Sequence, residues 1–348
     1  MTESTTISDE ARALHDSAIV IDATCPLANK RSEDGLSAPY LDWWIEGGAT
    51  AIAPTVASRE GAADGLRSVA FWRDLIARDD RLRLVTSAAD VEQAKRDGTL
   101  GIILHFQGIG PIENDLNLVE VYKALGVGII QLAYNIQSLA GAGCEVRDDE
   151  GLTPFGRALV ERMNQHRVIV DCSHTGRRTT LEAIAHSRAP TVFSHANPFA
   201  VRPSGRAATD EQIRAVAATG GLTGIVGFPA FVSQGARPTL DQFIDHIAYV
   251  ADLVGIEHVA LGIDYFTGQV GVVDDDTAAR GYRQWVDAGI WDPDNYPPPP
   301  YHYPEGIDTP RTLQNITARL LERGFTPADC RKVLGENWLR VYRAVWGA

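Results

Sequence analysis

No apolar run in the 348 residues approaches the length needed to cross a bilayer, which takes about 20 consecutive apolar residues. A membrane-spanning helix is therefore not expected. The opening Met-Thr-Glu-Ser-Thr-Thr-Ile-Ser-Asp-Glu has neither a basic region nor an apolar one, so no export signal is expected either. Cysteine is scarce: Cys25, Cys144, Cys172 and Cys330 are scattered and form no CxxC pair. That excludes a disulfide framework and suits free thiols in a reducing cytosol, so the expected location is cytoplasmic. Positive charge is also short, 32 Lys and Arg against 45 Asp and Glu, for a formal net charge of -13. Neutralising a phosphate backbone needs a basic surface, which argues against nucleic acid as the partner.

What is present is the composition of a soluble globular protein, 45% hydrophobic and 22% charged. Apolar runs at 18–22, 50–55, 101–107, 127–134, 168–171, 190–195, 221–228 and 258–264 read as eight strands, with a short extra one at 82–86. Helical patterns at 9–18, 64–79, 116–124, 240–254, 311–323 and 327–346 lie between and after them, the last with a turn at Gly335-Glu336-Asn337-Trp338. Alternation of this kind predicts a (β/α)8 TIM barrel, of the α/β class, as one domain over residues 1–348. Residues 265–310 break the rhythm with Pro297 to Pro300 and Pro304, a density that predicts no long regular helix. This insertion leaves the C-terminal end of the last strand, where it can serve as a lid over the barrel mouth or as a surface or subunit contact.

The chain is organised around Val168-Ile169-Val170-Asp171-Cys172-Ser173-His174-Thr175-Gly176, a β-branched run that ends in polar residues and a histidine. Thr191-Val192-Phe193-Ser194-His195 repeats the device about twenty residues on. In an α/β barrel the active site lies at the C-terminal ends of the strands. Those ends carry Asp22 with Thr24 and Cys25, His105 with Gln107, Tyr134 with Asn135, Asp171 with His174, His195 with Asn197, and Asp264. Two histidines from consecutive strands, an aspartate and a carboxamide on one rim suit a divalent transition metal, zinc first. Such an ion brings the pKa of its water near neutrality, and Asp264 would accept and return the proton. Arg206, in the loop before the helix start at Thr209, can grip a substrate carboxylate in two places; a solvated arginine is the competing reading. His105 sits deeper on its strand and reads as a core histidine, the remaining histidines read as surface residues, and Cys25 is a weak ligand candidate.

These residues resemble the membrane (renal) dipeptidase family of zinc peptidases. The likeness rests on Val170 to His174, Phe193 to Asn197, Arg206 to Glu211, Asp245-His246 through His258, Leu261-Gly262-Ile263-Asp264 and Gly335 to Arg340. It implies an amidohydrolase-like barrel in which His174 and His195 hold a metal, Asp264 handles the proton and Arg206 takes the substrate carboxylate. Tyr134 falls where the family has a substrate-contacting His or Tyr, and with Asn135 it is expected to bind substrate. The sequence departs from the family at two places: Thr24-Cys25-Pro26 stands where a His-x-Asp pair is expected, and Gln107 where a glutamate bridges two zincs. The implied site is mononuclear, on His174 and His195 with help from Gln107, Asp264 or water. The expected function is metal-dependent hydrolysis of a small amide or dipeptide-like substrate bearing a carboxylate. A lyase or other C–N cleavage on the same barrel, or a metal-free small-ligand-binding protein, are the alternatives. The expected partner is a small molecule, with no nucleic acid and no membrane; a homodimer is left open.

Overall fold

The computed structural model describes residues 7–235 and 237–347; residues 1–6, part of the stretch read for an export signal, lie outside them. Runs of Val, Ile, Leu and Ala, buried almost throughout, form eleven short strands, all paired in parallel. They are β1 (Ile21–Asp22), β2 (Ala51–Ile52), β3 (Thr55–Ala57), β4 (Leu82–Leu84), β5 (Leu100–Ile102), β6 (Leu104–Phe106), β7 (Val127–Gln131), β8 (Ile169–Asp171), β9 (Thr191–Phe193), β10 (Leu222–Ile225) and β11 (Val259–Leu261). Two of the eight expected strands are broken. Pro54, which lacks an N–H, separates β2 from β3, and the next strand is split at Ile103. β2 pairs with β5 and β3 with β6, so the broken halves still run side by side. β4 is the extra strand, attached to β5 alone.

The result is a curled parallel sheet of the TIM-barrel kind, its strands in chain order. Its ends meet without a ladder. Asp264 N donates to Thr24 O at 2.9 Å, Leu27 N to Tyr265 O at 2.8 Å, and Ile263 N to the Asp22 carboxylate at 2.8 Å. Inward residues, among them Ile21, Ala51, Ile129, Ile169, Val192, Leu222 and Ala260, fill the barrel interior together with Trp338, Tyr342 and Trp346 of the last helix (Asn337–Trp346). Those three rings stack at 5.5 and 4.1 Å. Asn337 holds Ile256 O and Val259 O, and Trp346 holds Gly128 O, so this helix closes the end where the strands begin. The opposite end is left for chemistry.

Three expectations need correction. The turn expected at 335–338 is a π-helical bulge, Lys332–Glu336, inside a continuous helical run from Pro327 to Trp346. Its cause is close packing: a Cβ on Gly335 would stand 2.5 Å from Ile19 O, and Asn337 is drawn to the start of β11. Residues 265–310 contain a thirteen-residue helix, Asp275–Asp287, because every proline of the segment lies beyond it and Asp274 caps it through Thr277 N at 2.8 Å. His15 and His246, expected at the surface, are buried, the first between Thr317 Oγ1 and Gly47 O and the second against Val232 O. No helix among the described residues is long and apolar enough to cross a membrane.

Asp22 makes the closure testable. Its carboxylate accepts from Ile263 N and from Trp44 Nε1, at 2.8 and 3.0 Å. Asp22→Ala strands both donors and should cost about 2–4 kcal/mol in urea unfolding; Asp22→Asn, which keeps one acceptor, should cost less. Burial pushes the Asp22 carboxyl up to about 6, against those hydrogen bonds. With its pKa raised on folding, the native state takes up a proton before the unfolded chain does. Relative to Asp22→Asn, the wild type should therefore gain about 1 kcal/mol between pH 8 and pH 5; an unchanged difference would refute it.

Candidate active site

The carboxylate of Asp171, at the end of β8, ties two strand ends together. One oxygen accepts from Ser173 N and Ser194 N, both at 2.9 Å; the other accepts from Ser194 Oγ at 2.5 Å and faces His105 Nε2 at 3.2 Å. Ser173 Oγ in turn accepts from His195 N at 3.0 Å. These bonds lock the turns after β8 and β9, and His174 takes the left-handed φ of 58°. The two imidazoles are thereby brought to an Nε2–Nε2 distance of 2.8 Å.

The partners of the other ring nitrogens settle where the protons are. His195 Nδ1 faces Ser194 Oγ at 2.7 Å and Thr24 Oγ1 at 3.2 Å. Both hydroxyl protons are used elsewhere, on Asp171 and on Ala23 O, so both oxygens accept and Nδ1 carries the proton. His174 Nδ1 lies 2.6 Å from Asn135 Oδ1, and Asn135 Nδ2 is turned away to Ile290 O and Tyr296 Oη. The same logic protonates His174 on Nδ1. Two Nε2 lone pairs then point at one another, an arrangement that calls for a cation between them. Burial, and next the Arg206 charge, hold both imidazoles well below their ordinary pKa, which disfavours a proton in that place.

An imidazole-preferring metal fits the pair. Tetrahedral nitrogens about 2.05 Å from zinc stand about 3.3 Å apart, so the rings need to part by about 0.5 Å. Gln107 lies beside them, its Nε2 3.3 Å from His195 Nε2. Rotated by 180°, the same amide would offer its oxygen. Among the described residues no three of His, Cys, Asp and Glu are arranged to hold a metal. On the other side, Thr24 is the hydrogen-bond partner of His195, and the Cys25 thiol donates to Asp22 O at 3.3 Å with its pKa pushed well up by burial.

The remaining expected residues are near this pair but not in one space. Asp264, with φ 64°, lines a cleft of about 310 Å3 together with Gln107, Tyr134 and one side of His174. Burial raises its carboxyl to about 8, against the pull of Arg206. Tyr134 stacks on His174 at 4.2 Å and accepts from Trp291 Nε1. Arg206 lines a second cavity, about 280 Å3, on the other side of His174. It is 5% exposed, donates to His195 O at 2.7 Å, has no partner at Nε, and among the described residues makes no ion pair. Asn135 occupies a different place from the one expected of a substrate contact. Fully buried, it has φ 58° and commits both ends of its amide to the protein. Ser194 and the rings of Trp285, Trp291 and Tyr296 were not anticipated here; the aromatic density of 285–303 was the available signal.

The model of the membrane dipeptidase family, peptidase family M19, matches residues 44–285. The chain belongs to this family. Its members are dipeptidase-like metallohydrolases, and this chain is an enzyme of that kind. Over 97% of its length it superposes on an amidohydrolase from Pseudomonas aeruginosa, covering 99% of that chain with a TM-score of 0.85 and 33% identity. It is 27% identical over 269 residues to the dipeptidase tcpJ of Claviceps purpurea, a match covering 76% of this chain and 56% of that protein. The fold is shared with a metallo peptidase from Rhodobacter sphaeroides liganded with a phosphinate mimic of L-Ala-D-Ala, at 20% identity, TM-score 0.74, and 95% and 100% coverage of the two chains.

The tautomers can be read directly. Imidazole 15N NMR should report a proton on Nδ1 and a bare Nε2 for both His174 and His195, and Ser194→Ala should broaden or shift the His195 pattern. An Nε2–H signal on either ring would contradict the assignment.

Proposed function

We propose that this enzyme hydrolyses a small amide or dipeptide-like substrate bearing a carboxylate, using one divalent cation, zinc first, held by His174 and His195 with Gln107 as a neutral neighbour. The observation that carries the reading is the convergence of two oriented Nε2 lone pairs at 2.8 Å. Such an ion, when bound, polarises an amide carbonyl and acidifies water. The chain's own residues do the rest. Asp264, its pKa raised to about 8 by burial, is matched to take a proton and give it back near neutral pH. Gln107 lines the same cleft and offsets a small part of that rise. Arg206, in the second cavity across His174 from Asp264, is a buried cation with no ion-pair partner among the described residues, and a substrate reaching past His174 would supply a carboxylate to it. Tyr134, stacked on His174 with its hydroxyl tied to Trp291, keeps the imidazole plane in place.

Protein purified without added metal should carry about one zinc-like ion per chain by elemental analysis, and His174→Ala should lose it. Near-zero content that zinc does not restore would sink the metal-dependent reading and favour one of the alternatives, C–N cleavage of another kind or ligand binding. In protein that turns over dipeptides or N-acyl amino acids, Asp264→Asn should lower kcat by about 100-fold or more with KM little changed. Full activity in that variant would remove Asp264 from the proton path.

A further inference from the structure

Several aromatic rings line the cleft in front of His174. Tyr134, Phe228, Phe266, Trp285 and Trp291 all line it. They form one connected array around Trp291, which stacks on Tyr296 at 4.5 Å and on Trp285 at 5.5 Å and meets Phe266 at 5.4 Å. Trp285 continues the array to Tyr134, 5.9 Å away and itself stacked on His174. Trp291 Nε1 donates to Tyr134 Oη, and Tyr296 Oη is bonded to Asn135. Apart from the Tyr134 O–H and the Trp285 N–H, carbon is what the array offers to a ligand.

A wall of rings suits either a cation or a neutral ring, and the mouth of the cleft separates the two. Ring faces attract a cation by themselves, most strongly where they are free of one. At the mouth, Asp64 is paired with Arg67 at 2.6 Å, and Glu60 accepts from Ser58 N at 2.6 Å but has no ion-pair partner among the described residues. The outer ring already faces a cation, with the Arg59 guanidinium 5.6 Å from the centre of Trp285. A second positive group would meet repulsion there. A neutral ring gains edge-to-face and offset contacts from such a wall that an aliphatic chain of equal area does not. The volume, about 310 Å3, is at the small end for ligand sites and suits one aromatic side chain and an amide.

We infer that the substrate carries a neutral aromatic side chain beside the bond presented to His174 and Asp264, and that Trp291 and Phe266 select for it. Which bond is presented rests on the hydrolase reading above; the preference for a ring does not.

The test is calorimetric titration of the purified enzyme with N-acetyl-DL-alanine, -leucine, -lysine and -phenylalanine. The phenylalanine compound should bind roughly a hundredfold more tightly than the alanine one, and several-fold more tightly than the leucine one. Trp291→Leu and Phe266→Leu, each checked for a native melting transition, should bring the leucine and phenylalanine compounds together. Affinities for alanine and phenylalanine within threefold, tighter binding of lysine, or no binding of any of the four would each overturn the inference. Hydrolysis of dipeptides with no side-chain preference would sink it and leave the hydrolase standing. Selective binding of the phenylalanine compound, with no amide cleaved, would do the reverse.

Discussion

The site depends on one buried carboxylate. Asp171 is closed off from solvent, and burial alone would drive its pKa up; His105 and the Ser194 hydroxyl outweigh that and hold it well below the usual carboxylate range. It stays ionised because its oxygens together accept two backbone N–H groups and a hydroxyl and face an imidazole. Each of those bonds also fixes something the site needs: the turn before His174, the turn before His195, and the direction of the Ser194 proton. From that last point follows the tautomer of His195, and with the Asn135 contact follows the geometry of the pair. The arrangement is a hydrogen-bond network that orients two imidazoles before anything binds.

Orientation of this kind has a backbone cost. Five non-glycine residues among those described adopt positive φ, and three of them, Asn135, His174 and Asp264, belong to this site. A left-handed conformation costs a residue with a side chain roughly 1–2 kcal/mol, and here surrounding bonds over-determine it. Asn135 is held from both ends of its amide, His174 O accepts from Cys144 N, and Asp264 is pinned between Thr24 O at its N–H and the Tyr303 hydroxyl at its carbonyl. Strain collects where strand ends must turn side chains toward a common point, and the rigid barrel beneath absorbs it.

The sequence made the barrel legible because strands buried on both faces must be nearly continuous apolar runs, and a helix between each pair sets their order. The histidine pair was legible for the same reason: Ser194-His195 repeats Ser173-His174 at the end of the next strand, so both must arrive on one rim. What could not be read was depth. Nothing in the spacing of Arg206 and Asp264 shows that His174 stands between them, because that depends on which way each loop turns after its strand. Asn135 was placed at the right strand end, but its amide is spent on His174 and on Ile290 and Tyr296, a tertiary contact across 155 residues or more. The helix Asp275–Asp287 was hidden by averaging over a proline-rich segment whose prolines all follow it. The π-bulge depends on packing against Ile19, which no local pattern reports.

The departures from the family pattern take on a physical meaning in this setting. Thr24 and Gln107 stand where the resemblance leads one to expect a histidine and a bridging glutamate, and both are hydrogen-bond neighbours of His195. With Pro26 and Gln107 in place of the two expected carboxylates, the charge balance of the pocket changes. Asp22 and Asp264 are both pushed by burial toward their neutral forms, while Arg206 is paired with no carboxylate among the described residues. A protein of net charge -13 thus contains, at the mouth of its barrel, a buried cation facing two neutral imidazoles. Anionic ligand groups would be repelled by the outer surface and drawn to this one point. The proposed substrate carboxylate would supply the negative charge that Arg206 lacks among the described residues.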